Sequence, residues 1–131
     1  MMTQIDEDVL HICLAGARVS NDLSLIQTLK SRHLITLVES IHLLSLSAIL
    51  PGTDMVVLDC SGNHERGLQL VPWLNSHFPQ LVIVLVNGGL TQEQIASAFK
   101  EGAKDYFSDP YDVKLLAERV NALGARRNRI E

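Results

Sequence analysis

With 131 residues, 47% of them hydrophobic and 20% charged, the chain can build one domain with a real core but not two ordinary ones, and wholesale disorder is excluded. A formal charge of −4 at pH 7 argues against direct binding to nucleic acid or to anionic membranes. The local exception is Arg126-Arg127-Asn128-Arg129. It reads as a solvated helix end, where cations suit the helix dipole, or as the start of a linker over residues 127–131.

Met1 to Asp8 is acidic and polar, unlike a secretory signal, and residues 1–7 are expected to be flexible. Val9 to Ala15 is apolar except for His11, so it predicts a strand buried on both faces. Ser20-Asn21-Asp22 can cap a helix through Arg32, with Leu23, Ile26 and Leu29 on one face. Leu34 to Val38 is the second strand. A helix over about Ser40 to Leu50 follows, closed by Pro51-Gly52; its apolar stretch is too short to cross a bilayer.

Met55 to Leu58 predicts the third strand, which stops at Asp59. Leu68, Val71, Leu74 and Phe78 have helical spacing up to Pro79, and Pro72 inside that pattern marks either a kink or the first turn. Leu81 to Val86 is an unbroken apolar run and the strongest strand signal. Thr91-Gln92-Glu93-Gln94 is a capping box for a helix running to Gly102. Asp105 to Phe107 is a short fifth strand, and a last helix runs from near Asp112 to about Arg126.

Five βα units with continuous apolar strands imply one α/β domain: a doubly wound five-stranded parallel sheet, flavodoxin-like order 2-1-3-4-5, covered by five helices. Cys13 and Cys60 form no CxxC pair and read as reduced core thiols of a cytoplasmic protein. The five histidines have no metal-ligand spacing. His11 reads as a hydrogen-bonded core residue and the others, His33 included, as surface. Trp73 reads as a packing residue. No GxxxxGK[ST] or GxGxxG occurs, so Asn87-Gly88-Gly89 reads as a flexible loop that could still bind a ligand.

In such sheets the ligand site lies at the carboxyl ends of the strands. Asp59 ends the run Met55-Val56-Val57-Leu58, Gly67-Leu68 opens the third helix, and Gly102-Ala103-Lys104-Asp105-Tyr106 and Pro110-Tyr111 flank the fifth strand. In order and spacing these fragments resemble the receiver domains of response regulators, of the chemotaxis-regulator kind, over essentially the whole chain. The resemblance implies a phosphoacceptor position at Asp59 and a cis bond before Pro110. It also implies a magnesium ion held by two acids at the end of the first strand, a Ser or Thr ending the fourth strand, and a Lys before the proline.

The chain departs from that pattern at each of these last positions. Leu14-Ala15-Gly16 stands where the acids are expected, Asn87 replaces the hydroxyl and Asp109 the lysine. Mg²⁺ is usually anchored by carboxylates, so its binding is expected to be weak or absent, with no other cofactor. Asp109 reverses the sign of the charge that phosphoryl transfer depends on. The favoured reading is therefore a non-catalytic pseudo-receiver, not an enzyme, acting through protein contacts, with Asp59, Ala15, Asn87 and Asp109 forming a degenerate pocket. Asp59 can equally be a strand-end aspartate bonding the following loop. The alternative is a two-component receiver still phosphorylated on Asp59; a small nucleotide binder using residues 87–89 is a third.

The resemblance also implies a docking face for a protein partner or a second copy on the fourth helix, fifth strand and fifth helix. Phe99, Tyr106 and Tyr111 are its leading candidates, with Gln92, Ala96, Lys100, Lys114 and Arg119. Tyr106 occupies the position of the family's switch aromatic; with Asn87 as its partner it is expected to pack rather than switch. An effector domain in a longer parent protein fits the same reading.

Overall fold

The computed structural model describes residues 9–130, apart from residue 47 and the side chains of 45, 46 and 126–130; the segment expected to be flexible, 1–7, and Glu131 lie outside them. Five strands, β1 His11–Ala15, β2 Leu34–Val38, β3 Met55–Asp59, β4 Val82–Val86 and β5 Ala103–Phe107, form one sheet. Every neighbouring pair is parallel, in the order β2-β1-β3-β4-β5. This is the flavodoxin-like topology expected from the alternating pattern.

The sheet is central, so each inner strand must be apolar on both faces. β3 and β4 are buried at every position, and their side chains alternate between two cores. Val56, Leu58, Ile83 and Leu85 pack with Leu70, Val71 and Leu74 of α2 (His64–His77) and Ala98 of α3 (Gln92–Lys100). Met55, Val57, Val84 and Val86 pack on the other side with Leu25, Ile26 and Leu29 of α1 (Leu23–Lys30) and Leu116, Val120 and Leu123 of α4 (Val113–Ile130). Trp73 is half-buried against the first core and stacks on His77 with ring centroids 4.2 Å apart. Cys13 and Cys60 are free and buried; burial pushes their thiols up to about 11 and about 12.

The α-helices number four among the described residues, not five. The segment expected to form a helix over Ser40–Leu50 makes a 3₁₀ turn at Ile41–Leu46 instead. Its residues permit either form: Ile is stiff at χ1, and serines bond the local backbone, as Ser40 Oγ does by accepting from the His42 N–H at 3.3 Å. With three residues per turn, Ile41 and Leu44 fall on one face and both are buried. So the apolar spacing is used, but by a shorter and tighter turn. The capping signals hold, but the buried face of α1 is Leu25, Ile26 and Leu29; Leu23, expected on it, stands at the first turn and is 70% exposed. Asp22 caps α1 by accepting from the Leu25 N–H, and the Thr91–Gln94 capping box closes on α3 with both bonds formed. Pro72 sits inside α2, whose N-cap is Asn63, so it does not mark the first turn. α4 passes Arg126 and reaches Ile130.

The histidine assignments are reversed. His11 is exposed because β1 begins there, at the rim of the sheet. His33 is buried, 5% exposed, in the turn before β2. The Leu10 N–H needs an acceptor, and His33 Nδ1 accepts from it at 3.1 Å while Nε2 bonds Asn121 Oδ1 of α4 at 2.8 Å. The pairing makes Nε2 the protonated nitrogen, so the ring is neutral and ties the start of the sheet to the last helix. Replacing it by Leu strands a buried N–H and an amide. His33→Leu should lower stability by about 1–3 kcal/mol, measurable as a fall in the urea midpoint at unchanged slope.

Candidate functional site

Four strands end at one edge of the sheet and deliver Gly16, Asp59, Asn87 and the Asp109 turn to it. Asp59 is the last residue of β3 and is only 4% exposed. A carboxylate so placed must have its oxygens satisfied, and the loops do this with N–H groups. Oδ2 accepts from the backbone N–H of Arg18 at 3.0 Å and of Val19 at 2.9 Å. Oδ1 accepts from the Ser61 N–H at 2.9 Å and from Asn87 Nδ2 at 3.1 Å. Burial alone would raise the carboxyl pKa; the bonds from Ser61, Asn87 and Val19 outweigh it and hold Asp59 below its ordinary 3.8.

That cluster requires close backbone approach. Gly16 has φ 120°, and a Cβ there would lie 2.4 Å from Asp59 Cβ. Only glycine lets the loop after β1 fold down onto the carboxylate. On the far side Asn87 adopts φ 65°, a left-handed conformation Asn tolerates, and is fully buried. Its Nδ2 serves Asp59, while its Oδ1 has no hydrogen-bond partner.

Asp109 does not press a second charge against Asp59. Its carboxylate is taken by Arg18, whose Nη1 and Nη2 donate to Oδ2 and Oδ1, both at 2.8 Å. The two pKa values move apart, Arg18 up and Asp109 down, each through its hydrogen bond to the other. Arg18 therefore works twice: its backbone N–H holds Asp59 and its side chain holds Asp109. A second cross-link lies beside it, where the Tyr111 hydroxyl donates to Asp22 Oδ2 at 2.5 Å; burial, then the bond and charge of Asp22, push that phenol's pKa up. Arg18, Asp22, Asn87, Asp109, Pro110 and Tyr111 line a cleft of about 340 Å³, and the Asp109–Pro110 bond is cis.

Of the pocket residues named from the sequence, Asp59 and Asn87 are bonded to each other, and Asp109 joins them through Arg18. Ala15 is fully buried in the core layer under α2 and does not face them. Among the docking candidates, Gln92, Ala96, Phe99, Lys100 and Lys114 are exposed. Tyr106 is half-buried and its hydroxyl accepts from the Leu90 N–H at 3.3 Å. Arg119 pairs with Asp105 across 2.5 Å, and Tyr111 points at Asp22. The sequence reading missed Arg18. Its only signal is that a cation follows β1 where acids are expected, while an acid stands at 109; read together, the two departures compensate.

No protein-family model matches the sequence, and no curated protein matches it. Solved structures do. The response regulator DrrB of Thermotoga maritima, an OmpR/PhoB homologue, superposes with a TM-score of 0.77 at 17% identity over 90% of this chain and 54% of that one. The chain thus spans about half of DrrB's length. A CheY-like response-regulator receiver domain protein of Methanospirillum hungatei gives 0.77 at 14% identity over 94% and 99% of the two chains. A putative pilus assembly-related protein of Burkholderia pseudomallei gives 0.74 at 17% over 91% and 92%. The chain has the receiver fold.

The magnesium ion that the receiver fold implies does not fit the residues present here. Octahedral Mg²⁺ needs free oxygen ligands, carboxylates above all. Ala15 and Gly16 supply none from side chains, and both oxygens of Asp59 are occupied by N–H donors. What this arrangement can do is hold three loops together around one buried charge. A lowered folded-state pKa means that the unfolded chain takes up the proton first, so the contribution is full above the ordinary carboxylate value and is lost as pH falls through the lowered one. Asp59→Asn should therefore be destabilised by about 2–3 kcal/mol near pH 7, with the gap to wild type closing in acid. Urea unfolding of both proteins across that range checks it.

Proposed function

We propose that this receiver fold is a pseudo-receiver: a non-catalytic, cytoplasmic signalling module whose output is contact with another protein, independent of aspartyl phosphorylation. The observation that supports it is the state of Asp59. A phosphoacceptor needs a carboxylate oxygen free to attack and a cation to draw charge from the transferring group. Here the carboxylate is buried under four N–H donors, and the nearby guanidinium is spent on Asp109.

A module of this kind needs a surface that is always competent. The receiver-like docking face is the region of α3, β5 and α4, where Phe99 is 45% and Leu115 56% exposed beside the open side chains of Gln92, Ala96, Lys100 and Lys114. Two apolar groups set among amides and ammoniums suit a partner with an apolar spot rimmed by acids. The length of DrrB relative to this chain agrees with an effector domain in a longer parent protein.

Backbone amide NMR of the wild type, titrated with Mg²⁺ and then with beryllofluoride, tests the reading. Shifts around Asp59, Asn87 and Tyr106 should stay non-saturable through low-millimolar Mg²⁺ and should not change on adding the phosphoryl analogue. Saturable shifts clustered there would instead make the protein a receiver phosphorylated on Asp59.

A further inference from the structure

The two edges of the sheet are unequal. β5 carries Lys104 and Asp105, the charged residues that keep an edge strand from pairing with another chain. β2 is Leu-Ile-Thr-Leu-Val, with neither a charge nor a proline. None of its residues is fully buried, as befits a strand with a neighbour on one side only. Leu34 is 55% exposed, Leu37 49%, and Leu43 on that turn 55%.

The backbone of this edge is open as well. The Leu34 N–H donates to Leu10 O, and Val38 O accepts from the Gly16 N–H, so residues 34, 36 and 38 direct their polar groups toward β1. By the alternation of a strand, the N–H and C=O of Ile35 and Leu37 point outward. The sequence is also apolar-apolar-Thr-apolar-apolar, the same pattern in both directions about Thr36. Just outside it stand Arg32 and Glu39, both exposed and without a salt bridge among the described residues. An antiparallel partner brings the start of one strand to the end of the other, setting Arg32 near Glu39 of the other copy at both ends. A parallel partner would set like charges together.

From this geometry we infer that two copies of the chain join through β2, antiparallel about a two-fold axis at Thr36, making one continuous sheet. Ile35 and Leu37 exchange main-chain hydrogen bonds with Leu37 and Ile35 of the other copy, and Leu34 lies against Val38. This goes beyond the proposed docking of a different protein on the β5 side; the two surfaces lie at opposite edges and can be occupied together. The contact is smaller than the roughly 800 Å² per partner of a stable complex, which places the dissociation constant on the order of micromolar or weaker.

Sedimentation equilibrium of the full chain from about 10 μM to about 1 mM should show a monomer–dimer equilibrium in that affinity range. Leu37→Lys, an exposed position, should weaken it by at least about tenfold, whereas Phe99→Asp should leave it unchanged. Arg32→Glu alone should weaken the dimer and Arg32→Glu with Glu39→Arg should restore it. Thr36→Cys supplies a second measurement that needs no destabilising change. At the two-fold the Cα atoms stand about 4.5 Å apart, within the disulfide range. Oxidised glutathione should then give a covalent dimer of that variant, and the buried Cys13 and Cys60 should leave wild type uncross-linked. A monomer at every concentration, a dimer indifferent to Leu37→Lys, no recovery in the charge-reversed pair, or no cross-link in the Thr36→Cys variant would each overturn the proposal.

Discussion

A buried carboxylate without partners is among the most costly features a domain can contain, and Asp59 organises the upper edge of this sheet by needing partners. Its four N–H donors come from the loop after β1, the loop after β3 and the end of β4. Each loop is shaped for that delivery. Gly16 has no Cβ to collide with Asp59, and the left-handed Asn87 turns its amide inward. Arg18 extends the network to the turn after β5 through Asp109, and Tyr111 ties the same turn back to the N-cap of α1.

The ionic part of this network is the weaker one. Arg18 and Asp109 are both substantially solvent-exposed, with side chains at 54% and 39%, so screening limits the pair's contribution to stability. Its bidentate geometry still defines which way each side chain points. Relative to the receiver pattern, the charges at the two positions are exchanged. An acid where a lysine is expected and a base near the place of the acids give the cleft an internal ion pair. The exchange accounts for Asp109 being harmless to Asp59.

The two edges of the sheet are finished differently. The inner strands are covered on both faces, but β2 is left half-open, with apolar side chains and unpaired main-chain groups at its outer edge. The charged β5 edge shows how an edge strand is blunted. The contrast between them is local to a few residues, and it is what separates a surface for a different partner from one suited to a second copy.

The sequence by itself determined the parallel α/β architecture, because strands buried on both faces must be continuously apolar and helices must show a 3.6-residue period. It determined the caps at Asp22 and Thr91 too, since those signals act within one turn. It also placed Asp59, Asn87 and Asp109 at one edge, by strand order alone. Only the tertiary structure decided what became of them. That Arg18 neutralises Asp109 depends on a contact between residues 91 apart in the chain. That His33 rather than His11 is buried depends on an orphan N–H at Leu10 and an amide on α4. Whether Ile41–Leu46 would be an α-helix or a 3₁₀ turn was open locally, because both bury Ile41 and Leu44 and only packing against the sheet distinguishes them. Periodicity reports which face of an element is apolar; it carries no information about which polar group will be standing opposite.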